Sequence, residues 1–253
     1  MPRELRALSR LTKLDFGVNQ LFGTIPSDYG HHLSVLEYFG IHYNQVSGSL
    51  PNSLSKLSEL ETFFAGVNAL TGPIPSEFFQ LPSLQFCSLA FNQLTGTIPE
   101  FNPNMPLSLL WLDLNLLEGT IPPSLYNVPA LASLWLGFNN LVGSISTEVG
   151  KMKPVEYLDF SWNGFSGTLP SEIASLTDLL LLYLNNNDMT GTIPSTYGKL
   201  DRLQHIGLSF NKLNGGIPEE FGDLSSLEGL VLNSNELTGS VPTVVAALPS
   251  LGK

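Results

Sequence analysis

An α/β repeat solenoid is the fold this chain predicts, and three observations carry it. Ten asparagines, Asn19, Asn44, Asn68, Asn92, Asn115, Asn139, Asn163, Asn187, Asn211 and Asn235, recur at spacings of 25, 24, 24, 23 and then 24 five times. Around each one the frame L-x-x-L-x-L-x-x-N-x-L-x-G-x-I-P returns, as in the stretch from Leu203 to Pro218. A period of about 20 to 29 residues with this pattern means one strand and one helical or 3₁₀ segment per repeat, stacked into a curved solenoid.

Each element of the frame has a physical reason. One repeat cannot bury its own leucines, so the core exists only as a stack. In the strand, side chains alternate faces, which sends the residues three and five before each Asn inward, for example Leu134 and Leu136. The Asn sits where the chain leaves the strand, and its amide can satisfy backbone groups that a tight interior turn leaves unpaired. Ten copies predict a buried ladder. The Gly four residues on, from Gly23 to Gly239, suits a turn with positive φ. The Pro that follows opens the helical segment.

Gly-Thr-Ile-Pro at 23–26, 96–99, 119–122 and 191–194, with Gly-Ser-Leu-Pro at 48–51 and Gly-Thr-Leu-Pro at 167–170, resembles the plant-specific class of leucine-rich repeats over essentially the whole chain. That class occurs in ectodomains of plant receptor kinases and receptor-like proteins and in polygalacturonase inhibitors. The resemblance implies a right-handed superhelix with a parallel concave sheet and a helical or 3₁₀ convex side, and it implies binding without catalysis. The pattern departs at Ser146, where Pro is expected, so the helical segment there should start less rigidly. The spacing of 25 puts an extra residue near His31-His32, and that of 23 removes one near Pro103–Pro106. Both changes are expected on the convex side, where insertions and deletions are tolerated.

The unbroken period predicts a single array, residues 1–253, of about ten repeats. Pro2 stands 17 residues before Asn19, so the chain starts at the Pro of a repeat, and it stops where an eleventh strand is due. Terminal repeats need polar caps, and the resembled family closes its ends with cysteine pairs. Cys87 is the only cysteine, at an inward strand position, so it reads as a core thiol, and both ends are expected to be truncated or uncapped. A net charge of −11 argues against nucleic acid or an anionic membrane as partner. No apolar run reaches the roughly 18 residues of a spanning helix. Residues 1–14 lack a signal peptide's apolar stretch. An extracellular or cell-surface location is expected if the chain is a fragment of a longer secreted protein.

Function is expected on the outward strand positions, the rest of the frame being committed to folding. Phe64, Phe86, Trp111, Trp135, Tyr157 and Tyr183 occupy such positions in six successive repeats. With strands about 4.8 Å apart, they would form a continuous aromatic track about 25 Å long. Phe138 and Trp162, each just before its Asn, and the polar Asp113, Asp159, Asn185 and His205 complete the candidate ligand-binding set. Exposed aromatics of this extent mark interaction surfaces, although they can also stack merely to stabilise the sheet.

Asp113 and Asp159 lie two repeats apart, about 10 Å before the offset between columns is added. That is too far for a retaining glycosidase, whose carboxylates stand roughly 5 Å apart, and marginal for an inverting one, with no sugar-sized cleft implied. The reading is polar decoration of a binding face. His42 and His205 lie seven repeats apart, and His31-His32 lacks a third ligand, so no metal or cofactor is expected. No catalytic constellation can be assembled. The leading expectation is a module that binds a protein or peptide on the concave aromatic face. Carbohydrate binding, through rings stacked on sugars, and a scaffold role with end-to-end contacts remain open. Ice binding, known in this repeat class, favours a regular array of small polar residues, and the outward columns here are irregular.

Overall fold

The computed structural model describes residues 2–251, and its contacts divide the chain into two units, Met1–Leu131 and Ala132–Lys253. Both are leucine-rich-repeat solenoid segments with the same local plan. In the first, strands Lys13–Asp15, Tyr38–Gly40, Thr62–Phe64, Phe86–Ser88 and Leu109–Trp111 pair in parallel, each with the next repeat's strand. In the second, Ser133–Trp135, Tyr157–Asp159, Leu181–Tyr183, His205–Gly207 and Gly229–Val231 do the same. The register advances one whole repeat at a time, which keeps every inward leucine on its counterpart. Leu134, Leu158, Leu182 and Ile206 are accordingly fully buried in one row of the second unit.

Each repeat also carries a second strand that the frame did not announce. Phe22–Thr24, Gln45–Ser49, Ala69–Pro73 and Gln93–Thr95 form a second parallel sheet in the first unit. Asn140–Ser144, Gly164–Thr168, Asp188–Thr192, Lys212–Gly215 and Glu236–Leu237 form one in the second. The alternation Asn140-Leu141-Val142-Gly143-Ser144 buries Leu141 and leaves Val142 half in water, as a strand should. All ten frame glycines have positive φ, between 73° and 91°.

The helical part of each repeat is mostly a five-residue 3₁₀ segment entered from a proline in extended conformation, as at Pro51, Pro122, Pro170, Pro194 and Pro218. Ser146 corrects the expectation of a looser start. Its φ of −67° matches the prolines, and its Oγ accepts a hydrogen bond from the Glu148 N–H at 3.2 Å. A hydroxyl cap replaces the ring. The extra residue near His31 turns its segment, Tyr29–His32, into an α-helical turn. The residue lost near Pro103 leaves only a turn closed by the Met105 N–H on the Asn102 carbonyl at 3.1 Å.

The asparagines act as the ladder. Asn68 Nδ2 donates to the Ile41 carbonyl of the preceding repeat at 2.9 Å, while its Oδ1 accepts the Val46 N–H at 2.9 Å. The same pair of bonds recurs at Asn44, Asn92, Asn115, Asn163, Asn187, Asn211 and Asn235. The residue before each Asn takes a left-handed conformation, with φ between 52° and 59°, although none of the ten is glycine. Hydrogen bonds between repeats lock these turns, for example from Asn163 N–H to the Asn186 carbonyl at 3.2 Å. Cys87 is fully buried, and burial pushes its thiol far above the usual range, as befits a core residue. The last two residues of the chain, where an eleventh strand was due to begin, lie outside the described residues.

Candidate recognition face

Alternation puts two rows of side chains on the outer face of each strand layer, one at the first and one at the third strand residue. In the first unit, Phe86 stands in register with Thr62 and Leu109, whereas Phe64 and Trp111 both stand in register with Ser88. Successive aromatics therefore alternate between the two rows. Side chains two residues apart on a strand share a face but sit about 6.8 Å apart along it. Phe86 and Trp111, both 38% accessible, are exposed. Phe64 is half-buried, with the rings of Tyr38 and His42 edge-on to it at 6.2 Å each. Asp113 follows Trp111 and is half-buried.

In the second unit one row runs Trp135, Asp159, Tyr183, Gly207, and the other Ser133, Tyr157, Leu181, His205, Gly229. Tyr157 is exposed, at 36%, and Trp135 and Tyr183 are half-buried. Asp159 is a correction to its reading as surface decoration. It is only 7% accessible. Its Oδ1 accepts the Ser161 N–H at 2.8 Å, and both carboxylate oxygens lie over Gly137, 3.1 Å from where a Cβ would stand. A glycine two residues past the end of the neighbouring strand leaves a notch, and the carboxylate folds into it. Burial pushes this carboxyl above the ordinary range, although the hydrogen bonds from Ser161 oppose the shift.

The same notch logic orders other outward side chains. The Tyr183 ring lies over Gly207 beside the Asn185 side chain, and His205 lies over Gly229. His205 also approaches Glu228, at 3.9 Å. A side chain seated against a glycine has less freedom to lose, which lowers the ordering cost of binding. Sequence reading missed this device. The signal was present in the glycines at outward strand positions.

Phe138 and Trp162 belong to the left-handed column at the end of the strands. Their rings stack with centroids 5.0 Å apart and planes 13° from parallel, and both are exposed. Asn139, Asn140, Val142, Asn163, Gly164 and Asn186 surround Trp162 in a shallow depression. Among the described residues no group of three His, Cys, Asp or Glu side chains converges as a metal site would require. No helix among them is long and apolar enough to cross a membrane.

Comparison with known proteins agrees with this plan. The Leucine Rich Repeat family model matches residues 154–176 and 202–224. Receptor-like protein 49 of Arabidopsis thaliana is 52% identical over 50 residues, which is 20% of this chain and 6% of that protein. The plant peptide hormone receptor RGFR1, solved in complex with RGF2, is 29% identical over 99% of this chain and 48% of its own, with a TM-score of 0.81. A plant ice-binding protein is 26% identical over 92% of this chain and 74% of its own, with a TM-score of 0.77. The chain spans a small part of the receptor-like protein and less than half of the receptor structure.

Proposed function

We propose that this chain, which belongs to the leucine-rich repeat proteins and is of the plant receptor-like kind, is a non-enzymatic recognition module for a protein or peptide ligand. The ligand lies across the outward strand positions, on the concave side of the solenoid. One observation carries the reading: large aromatic side chains stand half-buried or exposed on the outer face of both strand layers, where the frame itself needs none. Phe64, Phe86 and Trp111 serve in the first unit, and Trp135, Tyr157 and Tyr183 in the second. Phe138, Trp162, Asn185 and His205 extend the surface, and Asp113 adds a carboxylate. Tyr and Trp are the commonest anchors of interfaces, because they bury much area at little entropic cost.

The likeness to a peptide hormone receptor supports a peptide as the ligand, and the kinship with receptor-like proteins supports display at the cell surface. The unbroken asparagine period supports a single array of about ten repeats. Against ice binding stands the irregularity of the outward rows, where Trp135, Asp159, Tyr183 and Gly207 follow one another in place of one repeated small polar residue.

The test is selection of a displayed random peptide library on the immobilised chain, run beside a glycan array and an ice-recrystallisation assay. Enrichment of peptides that lose binding when Trp135 is replaced is the expected result. Glycan or ice binding without peptide enrichment would overturn the reading.

A further inference from the structure

We propose that the row Trp135, Asp159, Tyr183 in the second unit is a subsite for a basic side chain of the ligand, an arginine guanidinium held over the Asp159 carboxylate between aromatic walls. The inference rests on the recognition reading and gives it a ligand chemistry. Trp135 and Tyr183 are the two in-register neighbours of Asp159, and Tyr157 precedes it by two residues on the same face. Aromatic residues thus occupy both in-register positions beside Asp159 and the position two residues before it. Aromatic faces attract cations, and a planar guanidinium can stack on a ring while donating to a carboxylate.

The first unit contains a related arrangement, in which the ring comes from the first strand position, Tyr38, whose counterpart beside Asp159 is Leu181. Asp15 occupies the corresponding strand position and likewise accepts the N–H two residues on, from Gly17 at 3.2 Å. Its carboxylate and the Tyr38 ring converge over Gly40. There the chain supplies the cation itself. Lys13 places its ammonium 4.5 Å over the Tyr38 ring and 3.7 Å from the Asp15 carboxylate.

In the second unit the residue equivalent to Lys13 is Tyr157, and among the described residues no Lys or Arg pairs with Asp159. The outward positions of its five strands carry no lysine or arginine, and the unit as a whole has twelve acidic residues against six basic ones. A carboxylate that is largely desolvated and lacks a counter-charge gains more from an incoming cation than an exposed one does. Burial holds this carboxyl above its ordinary range.

The experiment is an NMR titration of the whole chain with acetyl-arginine amide and with its neutral isostere, acetyl-citrulline amide, at about physiological ionic strength, read at the tryptophan indole N–H signals. The arginine probe should shift the Trp135 signal at concentrations at least threefold below those citrulline needs. Asp159→Asn keeps an oxygen for the Ser161 N–H and should abolish that preference while melting as a folded protein. Tyr183→Leu leaves the carboxylate in place and should weaken arginine binding by threefold or more.

Equal response to the two probes, or an Asp159→Asn chain that still prefers arginine, would overturn the subsite. If Asp159→Asn fails to fold, an unchanged arginine titration of Tyr183→Leu would overturn it. Selected peptides without a basic residue would leave the recognition reading standing and remove the subsite. Arginine binding with no peptide ligand would do the reverse.

Discussion

Asn163 and Leu136 sit in successive repeats, and the side-chain amide of the first donates to the carbonyl of the second at 3.0 Å. The same Nδ2 also reaches the Phe160 and Ser161 carbonyls, while Oδ1 accepts the Leu141 N–H at 2.9 Å. One side chain thus joins its own turn to the strand before it and to the second sheet. Asn163→Ala should lower stability by about 1–3 kcal/mol, since it strands these backbone groups. Asn140→Ala, at an exposed strand position, should cost under about 0.5 kcal/mol. Chemical denaturation of the two variants checks this, and equal midpoints would refute the ladder's role.

The left-handed column stores strain that substitution can release. Val18 has φ +55° and is 72% exposed, so it has little packing to lose. A branched side chain in that conformation costs about 1–2 kcal/mol, and Asn186 shows that asparagine adopts it in this fold. Val18→Asn should therefore raise the melting temperature. A lower melting temperature would mean that the valine makes contacts worth more than its strain.

Ser146→Ala removes the one hydroxyl cap that stands in for a frame proline. The expected loss is about 1 kcal/mol. A calorimetric scan with no shift would show the 3₁₀ segment at Thr147–Lys151 to be held by its packing alone.

Asp159 gives a pH prediction with a definite sign. Its folded carboxyl titrates above the ordinary value of 3.8, chiefly because of burial, so the folded state holds the proton more strongly than the unfolded state. Its contribution to stability therefore falls as pH rises from that ordinary value through the raised one. Asp159→Asn should melt higher than the parent at pH 7, and the difference should vanish as the pH is lowered below 3.8. A difference that does not depend on pH would show that the effect is steric.

The strands, the inward leucines, the ladder and the glycine turns were legible because one frame repeats them ten times. The second sheet was not, because its five-residue alternation around Gly143 or Gly167 reads as a turn until the neighbouring repeat pairs with it. The left-handed residues were hidden for a related reason. Val18, Phe138 and Trp162 have side chains that disfavour that conformation, and only hydrogen bonds between repeats impose it. At the candidate site the sequence gives the outward columns but not their depth. Asp159 looks exposed until Gly137, just past the end of the adjacent strand, is seen to make room for it. The tolerance of residue 146 was likewise invisible in a pattern that records proline and not the dihedral angle that proline and serine share there.

The outward aromatics as a binding surface are the central claim, and stability must be separated from binding to test it. Trp135→Ala combined with Tyr183→Ala removes two outward side chains of the second unit, whereas Leu134→Ala empties a fully buried position on the strand that carries Trp135. Leu134→Ala should cost about 2–5 kcal/mol of stability. The decisive measurement is the affinity of a library-selected peptide for the Trp135→Ala, Tyr183→Ala chain, taken by calorimetry beside its melting curve. A folded double variant with affinity reduced by thirtyfold or more, about 2 kcal/mol, is the predicted result. A folded double variant that binds the peptide as tightly as the parent would contradict the claim and move recognition to another face.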